Sequence, residues 1–559
     1  MGPYHRTGEV DSASESATTE ILIASLACLL FLFNLVAVST LLLIIKLPVT
    51  PANTALAALL TLAFVAAKSS RKVCTSAVAF GLIAVTVALV SFYYDPSWDG
   101  NVYHKLSAGL IKTGWNPVYE QFRDYANGSG RFLQRNWDGF YDGYPKASYI
   151  ISACLYAATG SIESGKAYTL LATIGAVGII AVFLAEISRG KVRLGQSALV
   201  AVLMCVNAAT MGSIVTSQND GFLAVLIFTT LLSFIYLTVD DSGRYNRYAY
   251  LAIFVCVTLG VNLKYSALFP LTIMCVSFLA LLIVSRVWPK CGWMFPTVAT
   301  VGRNLGFLLA TAFCGLVLLG ATSYLRNLFI YRNPLYPMIG ANKEDVLGVA
   351  LPPAFRGLSP IRQFFGSLFS AVSHDPQLTS IPLKFPFTFT SVEARSSLYW
   401  GARTGGWGIW FSGIMLASLV AYAFAAPRAG KALNTAFAAV VAVSVIPAFF
   451  IPGLGIARYW PLPALIPPFL LFMLFAIGGI KGSGILLAVT ALAANMLPPA
   501  GGLLLTSRQS LRVHHEFTRL QAYERQGGQL AISLGPPYLA ERENPSAEAS
   551  GYRRLHVTE

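Results

Sequence analysis

The stretch Tyr93-Tyr94-Asp95-Pro96-Ser97-Trp98-Asp99-Gly100-Asn101-Val102-Tyr103-His104-Lys105 is dense in proton-moving groups, in a chain that is otherwise mostly apolar. Asp95 and Asp99 stand four residues apart, so in a helix they share one face. Both follow an apolar run long enough to cross a bilayer, which puts two carboxyls at a membrane surface, where partial desolvation raises a carboxyl pKa. A carboxylate tuned in this way can take a proton from a hydroxyl. Pro96 fits a first helical turn, which makes Asp95 a candidate helix cap and Asp99 the first candidate for a base. The competing reading is plainer: aromatic and acidic residues are common at a lipid–water boundary.

Other polar groups recur at the edges of apolar runs. Trp137-Asp138-Gly139 repeats Trp98-Asp99-Gly100, and Tyr141-Asp142-Gly143-Tyr144-Pro145-Lys146 follows it. Rings beside acids suit a carbohydrate, whose apolar faces stack while its hydroxyls bond carboxylates, and they suit a loop on lipid headgroups equally well. Asp220 and Lys264 sit at run ends, where a buried charge is costly and needs a partner or a task. Arg458-Tyr459 opens a run broken by Pro461, Pro463 and Pro467, and the planar guanidinium fork is suited to phosphate. For each of these the plainer reading is a snorkelling or paired charge. Arg326, Arg332 and Arg403 read as generic anchors, and His514-His515 as solvated, since no further ligand is spaced nearby.

The elements that position these residues follow from composition. With 559 residues, 55% hydrophobic and 12% charged, and a mean hydropathy of +0.62, the chain is too apolar for a soluble protein and reads as polytopic. Its formal charge of +15 falls in short clusters between apolar runs, a topology signal rather than a nucleic-acid surface. Seven cysteines lie in or beside apolar runs and Cys291 in a basic loop, with no CxxC pair, so neither a disulfide framework nor a thiolate metal site is expected. There is no P-loop, dinucleotide fingerprint, His/Glu metal helix or GxSxG elbow, so an activated substrate must supply the energy of any reaction. No cofactor is indicated, and a divalent metal stays open.

The expected fold is an all-α integral membrane protein with about 13 spans, each of roughly 20 apolar residues. They are Ile21 to Ile45, Thr54 to Ala67, Val73 to Phe92, Tyr168 to Ile187, Gln196 to Val215, Phe222 to Val239, Tyr248 to Leu263, Ala267 to Val284, Gly306 to Tyr324, Trp407 to Ala425, Thr435 to Ile451, Trp460 to Ile477 and Gly484 to Leu497. Residues 1–20 read as a disordered cytoplasmic tail, 21–506 as the transmembrane domain and 507–559 as a polar tail with a helix around Ser507 to Gln526. The basic turns at Arg71-Lys72, Arg189 to Arg193, Arg244 to Arg247, Arg286 to Lys290, Arg428 to Lys431 and Lys481 share the cytoplasmic side if Ala147 to Gly160 fails to cross. Two large loops, 93–146 and 326–406, then lie outside and carry short interfacial helices.

In order along the chain, these motifs resemble the glycosyltransferase C superfamily, polytopic enzymes that include protein mannosyltransferases and lipid A aminoarabinose transferase. The resemblance runs over residues 73–470. Trp98-Asp99-Gly100-Asn101-Val102-Tyr103-His104 is similar to the acidic motif of the first external loop. Tyr144-Pro145-Lys146, Ser217 to Asp220, Lys264-Tyr265-Ser266, Arg332-Asn333-Pro334-Leu335-Tyr336-Pro337 and Ala457-Arg458-Tyr459 follow in the family's order. The resemblance implies transfer of a sugar from a polyprenyl-phosphate donor to an acceptor hydroxyl on a glycan, glycolipid or protein, at the external or periplasmic face of a bacterial inner or plasma membrane. It implies Asp99 as base, Asp220 as second acid and Arg458 at the donor phosphate, with Tyr103, His104, Lys146, Lys264 and Tyr459 at the substrate. About three spans precede the catalytic loop here where the simplest family pattern has one, so Asp95 stays the alternative base. The competing class is a transporter or lipid-linked-sugar flippase, which calls for ionisable residues at span centres and internal repeats. In this chain the charges lie at span ends and no repeat is found.

Overall fold

Uninterrupted apolar runs have no water with which to satisfy their peptide groups, so they close their hydrogen bonds internally as helices. The computed structural model describes residues 10–122, 124–125, 138–240, 242–287, 297–340, 343–344, 350–478 and 482–525. Among these the protein is all-helical, with two isolated bridges, Ser370 to Leu383 and Ser373 to Thr404, as its only extended pairing. In chain order the main helices are α1 (Val10–Ile44), α2 (Pro51–Lys68), α3 (Lys72–Phe92), α4 (Lys105–Lys112), α5 (Ala147–Thr159), α6 (Tyr168–Ile187) and α7 (Leu194–Cys205). They continue as α8 (Asp220–Val239), α9 (Asn246–Leu263), α10 (Leu268–Val287), α11 (Val298–Phe313), α12 (Phe411–Ala425), α13 (Lys431–Val445), α14 (Ile466–Ile477), α15 (Gly482–Asn495) and α16 (Leu497–Arg525).

Nine helices among the described residues are long and apolar enough to cross a membrane, or ten if the bent pair α15–α16 forms one span, so this is a multi-pass membrane protein. The expected spans at 196–215, 407–425 and 460–477 are shorter helices, each cut for a local reason. α7 stops at Cys205 because the Asn207 amide and the Thr210 hydroxyl donate to the carbonyls of Met204 and Cys205 (both 2.8 Å) and cap its end. α12 cannot begin before Phe411, since Gly405 and Gly408 hold left-handed φ of 62° and 118°. Pro461 and Pro463 hold the start of the third run in a 3-10 turn, Leu462–Leu465, before α14 begins with prolines in its first turn.

α8 is the central helix, and 94% of its apolar window is buried. Its hydroxyls do not need outside partners: Thr229, Thr230 and Ser233 donate to the carbonyls four residues back at 2.7–2.8 Å. α1 packs along α6, where small residues let the backbones approach. A Cβ at Gly175 would lie 2.8 Å from the Ser25 carbonyl oxygen, which as backbone cannot swing aside. Gly175→Ala is therefore expected to lower stability by about 1–3 kcal/mol, the usual cost of overpacking, read as a fall in Tm of the detergent-solubilised protein.

The helix ends sort into two groups. At one end, Glu15 pairs with Arg244 (2.8 Å), and Glu20 accepts from Ser69 Oγ (2.5 Å), Ser70 N (2.9 Å) and Thr75 Oγ1 (2.6 Å). Residues 10–20 are thus the first turns of α1, bonded to the turn before α3, and not a disordered tail; residues 1–9 lie outside the described set. At the other end, residues 116–119 close over α1, with Asn116 Nδ2 on the Leu43 carbonyl (2.9 Å) and the Tyr119 hydroxyl on that of Ile44 (2.5 Å). The segment expected not to cross forms the 13-residue α5, largely buried within the bundle. The helix expected near 507–526 is present as the second half of α16, while 526–559, Cys291, Lys481 and Trp137 lie outside the described residues.

Candidate active site

Asp95 and Asp99 divide their roles through the local turn. Ser97 caps the helical turn that leads through a single π-turn, Gly100–His104, into α4: its hydroxyl accepts from Gly100 N (3.1 Å) and donates to Asp95 Oδ1 (2.6 Å). Asp95 Oδ1 also accepts from Ser97 N (2.8 Å), and Asp95 Oδ2 from Ser217 N (2.7 Å). The expected helix cap is therefore Ser97, and Asp95, buried with both oxygens engaged, ties this turn to the segment before α8. The approach is so close that a Cβ at Gly100 would lie 2.0 Å from Asp95 Oδ2, which requires glycine there.

Below this turn lies a buried charge cluster that sequence reasoning missed. Glu163 is fully buried and accepts from Lys105 Nζ (2.5 Å), from Lys166 Nζ and from Asp95 N (3.2 Å). Lys166 also donates to the Tyr93 carbonyl, so one carboxylate fixes both ends of the acidic segment.

Asp99 is held far more loosely. Its side chain is 22% exposed, Arg458 Nη1 is 3.8 Å away and Gln218 Nε2 3.4 Å away, both long contacts. Burial raises its pKa above the ordinary carboxyl range, a shift opposed by Arg458 and reinforced by Asp220. Asp220 and Lys264 meet at 2.5 Å because α8 and α9 run antiparallel and bring the first residue of one beside the residue that follows the other. Burial pulls the Lys264 pKa down, but the facing Asp220 carboxylate outweighs it and holds the ammonium above its ordinary value. Tyr459 lies under both cations, its ring 4.7 Å from Lys264 Nζ and 4.9 Å from the Arg458 guanidinium carbon. Arg458 Nη2 bonds the Tyr459 hydroxyl (3.1 Å), while its buried Nε has no hydrogen-bond partner among the described residues.

The rings of Tyr103 and His104, a few residues after Asp99, lie tilted against each other with centroids 4.4 Å apart, and Tyr149 meets the imidazole edge to face at 5.3 Å. Burial pushes the His104 pKa down to about 3, with the Lys264 charge acting in the same direction, so it is neutral at pH 7. Lys146 does not join the group: it is buried, donates to the carbonyls of Asp142 (3.0 Å) and Tyr144, and so serves the loop rather than a substrate. Asp142 is likewise structural, paired with Arg326 at 2.9 Å.

Asp99 and Arg458 open into a cavity of about 730 Å³, also lined by Trp98, Gln218, His374, Trp400, Arg403, Arg508 and Arg512. Arg403, expected as a generic anchor, thus reaches this wall. Its Nη1 donates to the Ala350 carbonyl at 2.7 Å. Burial holds the His374 imidazole below its ordinary pKa. α16 forms one whole side. Its stripe Ser507, Ser510, His514 and Phe517 docks on residues 92–94: Ser507 Oγ donates to the Tyr93 phenol (3.1 Å), Tyr94 N to Ser510 Oγ (3.0 Å) and His514 Nε2 to the Phe92 carbonyl (3.0 Å). His514 stacks on Phe92 at 5.0 Å and is packed, where solvation was expected. The helical spacing of that stripe was legible in the sequence, but its mixed polarity concealed it.

A second hollow, of about 720 Å³ and apolar, lies between α10 and α13 at Phe269, Ile273, Leu281, Ala438 and Ala442 and reaches Ile451, shortly before Arg458 in the chain. Among the described residues no three His, Cys, Asp or Glu side chains converge as a metal site. No family model, curated protein or solved structure matches this chain.

Proposed function

We propose that this protein is a glycosyltransferase C-type enzyme that transfers a sugar, with inversion, from a polyprenyl-phosphate donor to an acceptor hydroxyl at the external or periplasmic face of a bacterial membrane, in cell-envelope glycan or glycolipid assembly. The observation that carries the reading is the loosely held, raised-pKa carboxylate of Asp99 facing Arg458 across 3.8 Å at the wall of one cavity. Asp99 removes the acceptor's hydroxyl proton as the oxygen attacks the anomeric carbon. The bond from that carbon to the phosphate oxygen breaks, and polyprenyl phosphate leaves with its charge held by Arg458 and Lys264. The unpartnered Arg458 Nε and the cation pair over Tyr459 suit that leaving group, and the apolar hollow between α10 and α13 suits its hydrocarbon chain.

Lipid extracts from cells lacking the protein are expected to accumulate a polyprenyl-phosphate sugar and to lack one glycan residue, by mass spectrometry. Unchanged lipids and glycans would count against the transferase. Movement of a labelled polyprenyl-phosphate sugar across proteoliposomes without a covalent product would favour the flippase, for which the same hollow is the supporting observation.

A further inference from the structure

The cavity wall contributed by α16 carries charge that the transfer chemistry leaves unused. Gly502, Leu505, Gln509 and Arg512 recur at helical spacing along one face of α16, with Arg508 beside them, and all line the cavity. Arg508 and Arg512 form no hydrogen bond or ion pair with any described residue. Across the cavity stand four guanidiniums, those of Arg403, Arg458, Arg508 and Arg512, against the single carboxylate of Asp99. With His374 neutral the surplus is three positive charges. A sugar phosphodiester brings one negative charge, which Arg458 meets beside Lys264. Two adjacent arginines with free forks are matched by a further anion, since guanidinium binds phosphate or carboxylate through paired N–H groups.

The position of the pair assigns the anion to the acceptor. The stripe that docks α16 grips residues 92–94, the start of the segment that presents Asp99, and the two arginines line the same cavity as that base. Trp98, 56% exposed, and Trp400 line the same cavity and offer ring faces to a saccharide. We infer that Arg508 and Arg512 form an anion subsite for an acceptor saccharide that bears a phosphate or carboxylate. This rests on the transferase reading above, but a binding experiment separates the two.

Glucose 6-phosphate, glucose and a short-chain polyprenyl phosphate in detergent serve as probes, titrated into the purified full chain and followed by tryptophan fluorescence. Glucose 6-phosphate is expected to bind at least tenfold more tightly than glucose. R508Q/R512Q is expected to abolish that preference while leaving polyprenyl-phosphate affinity within twofold, and R458Q to do the reverse. Because both substitutions fall on exposed positions of a helix, folding of the double variant is checked simply by its unchanged Tm. Equal loss of both phosphates in R508Q/R512Q would assign the pair to a donor pyrophosphate and overturn the inference, as would no preference for the sugar phosphate in the unmodified protein. Selective loss in a protein that proves unable to transfer sugar would keep the subsite and sink only the transferase.

Discussion

Asp99→Asn is expected to lower sugar transfer by about 10³-fold, the scale on which a general base contributes. The substitution keeps the size and polarity of the side chain, and among the described residues Asp99 makes two long contacts, so expression should hold and Tm should not fall. Asp95→Asn should behave differently. Its carboxylate accepts three hydrogen bonds from Ser97 and Ser217, and an amide NH₂ facing those donors breaks the tie to α8, so Tm falls along with activity. The pH dependence gives an independent check. Because burial raises the Asp99 pKa, activity should fall on acidification through that raised value, higher than for an ordinary carboxyl, and the acid limb should vanish from any residual activity of Asp99→Asn. The stability sign follows from proton binding. Between the unfolded and folded pKa values the folded protein holds more protons, so stability declines as pH rises through that window. Asp99→Asn removes the decline and should raise Tm slightly above it. Full transfer activity in the variant would end the assignment of Asp99 as base.

Glu163→Ala is expected to cost the most stability, about 3–5 kcal/mol, because it strands two ammonium groups in the bundle interior without their shared counter-charge. Lys105 and Lys166 both end on this carboxylate and all three side chains are buried. The loss should appear as a large fall in Tm and as early proteolysis within 93–105, whose two ends the cluster fixes. Glu163→Gln combined with Lys166→Met removes one buried charge of each sign and should recover part of the loss. A Tm within a degree or two of the unmodified protein for Glu163→Ala would refute the anchoring role.

The membrane character and the long spans were legible in the sequence because they depend on composition summed over some twenty residues, as in Phe222 to Val239. What ends a helix is often a single side chain turned back on a carbonyl, as with Asn207 and Thr210, and a hydropathy window does not register it. Asp220 and Lys264 could be placed together because successive antiparallel spans return the chain to the same end. Lys146 misled because a lysine beside a proline at the mouth of an apolar segment looks available, and only the folded loop reveals the carbonyls that hold it. Glu163 and Lys166 sit in the short gap between two apolar runs, Ala147 to Gly160 and Tyr168 to Ile187, where nothing in their spacing singles them out. Arg508 and Arg512 were averaged into a polar tail, although their i, i+4 spacing put them on one helix face.

The docking of α16 also bears on how the protein is made. Its bonds to residues 92–94 join positions more than 400 residues apart in the chain. A ribosome adding about 5–20 residues per second needs tens of seconds between synthesising the two partners. The nine long apolar helices all precede the docking stripe of α16, so they can insert while the cavity still lacks a wall. Maturation of the site is then a late event, distinct from membrane insertion.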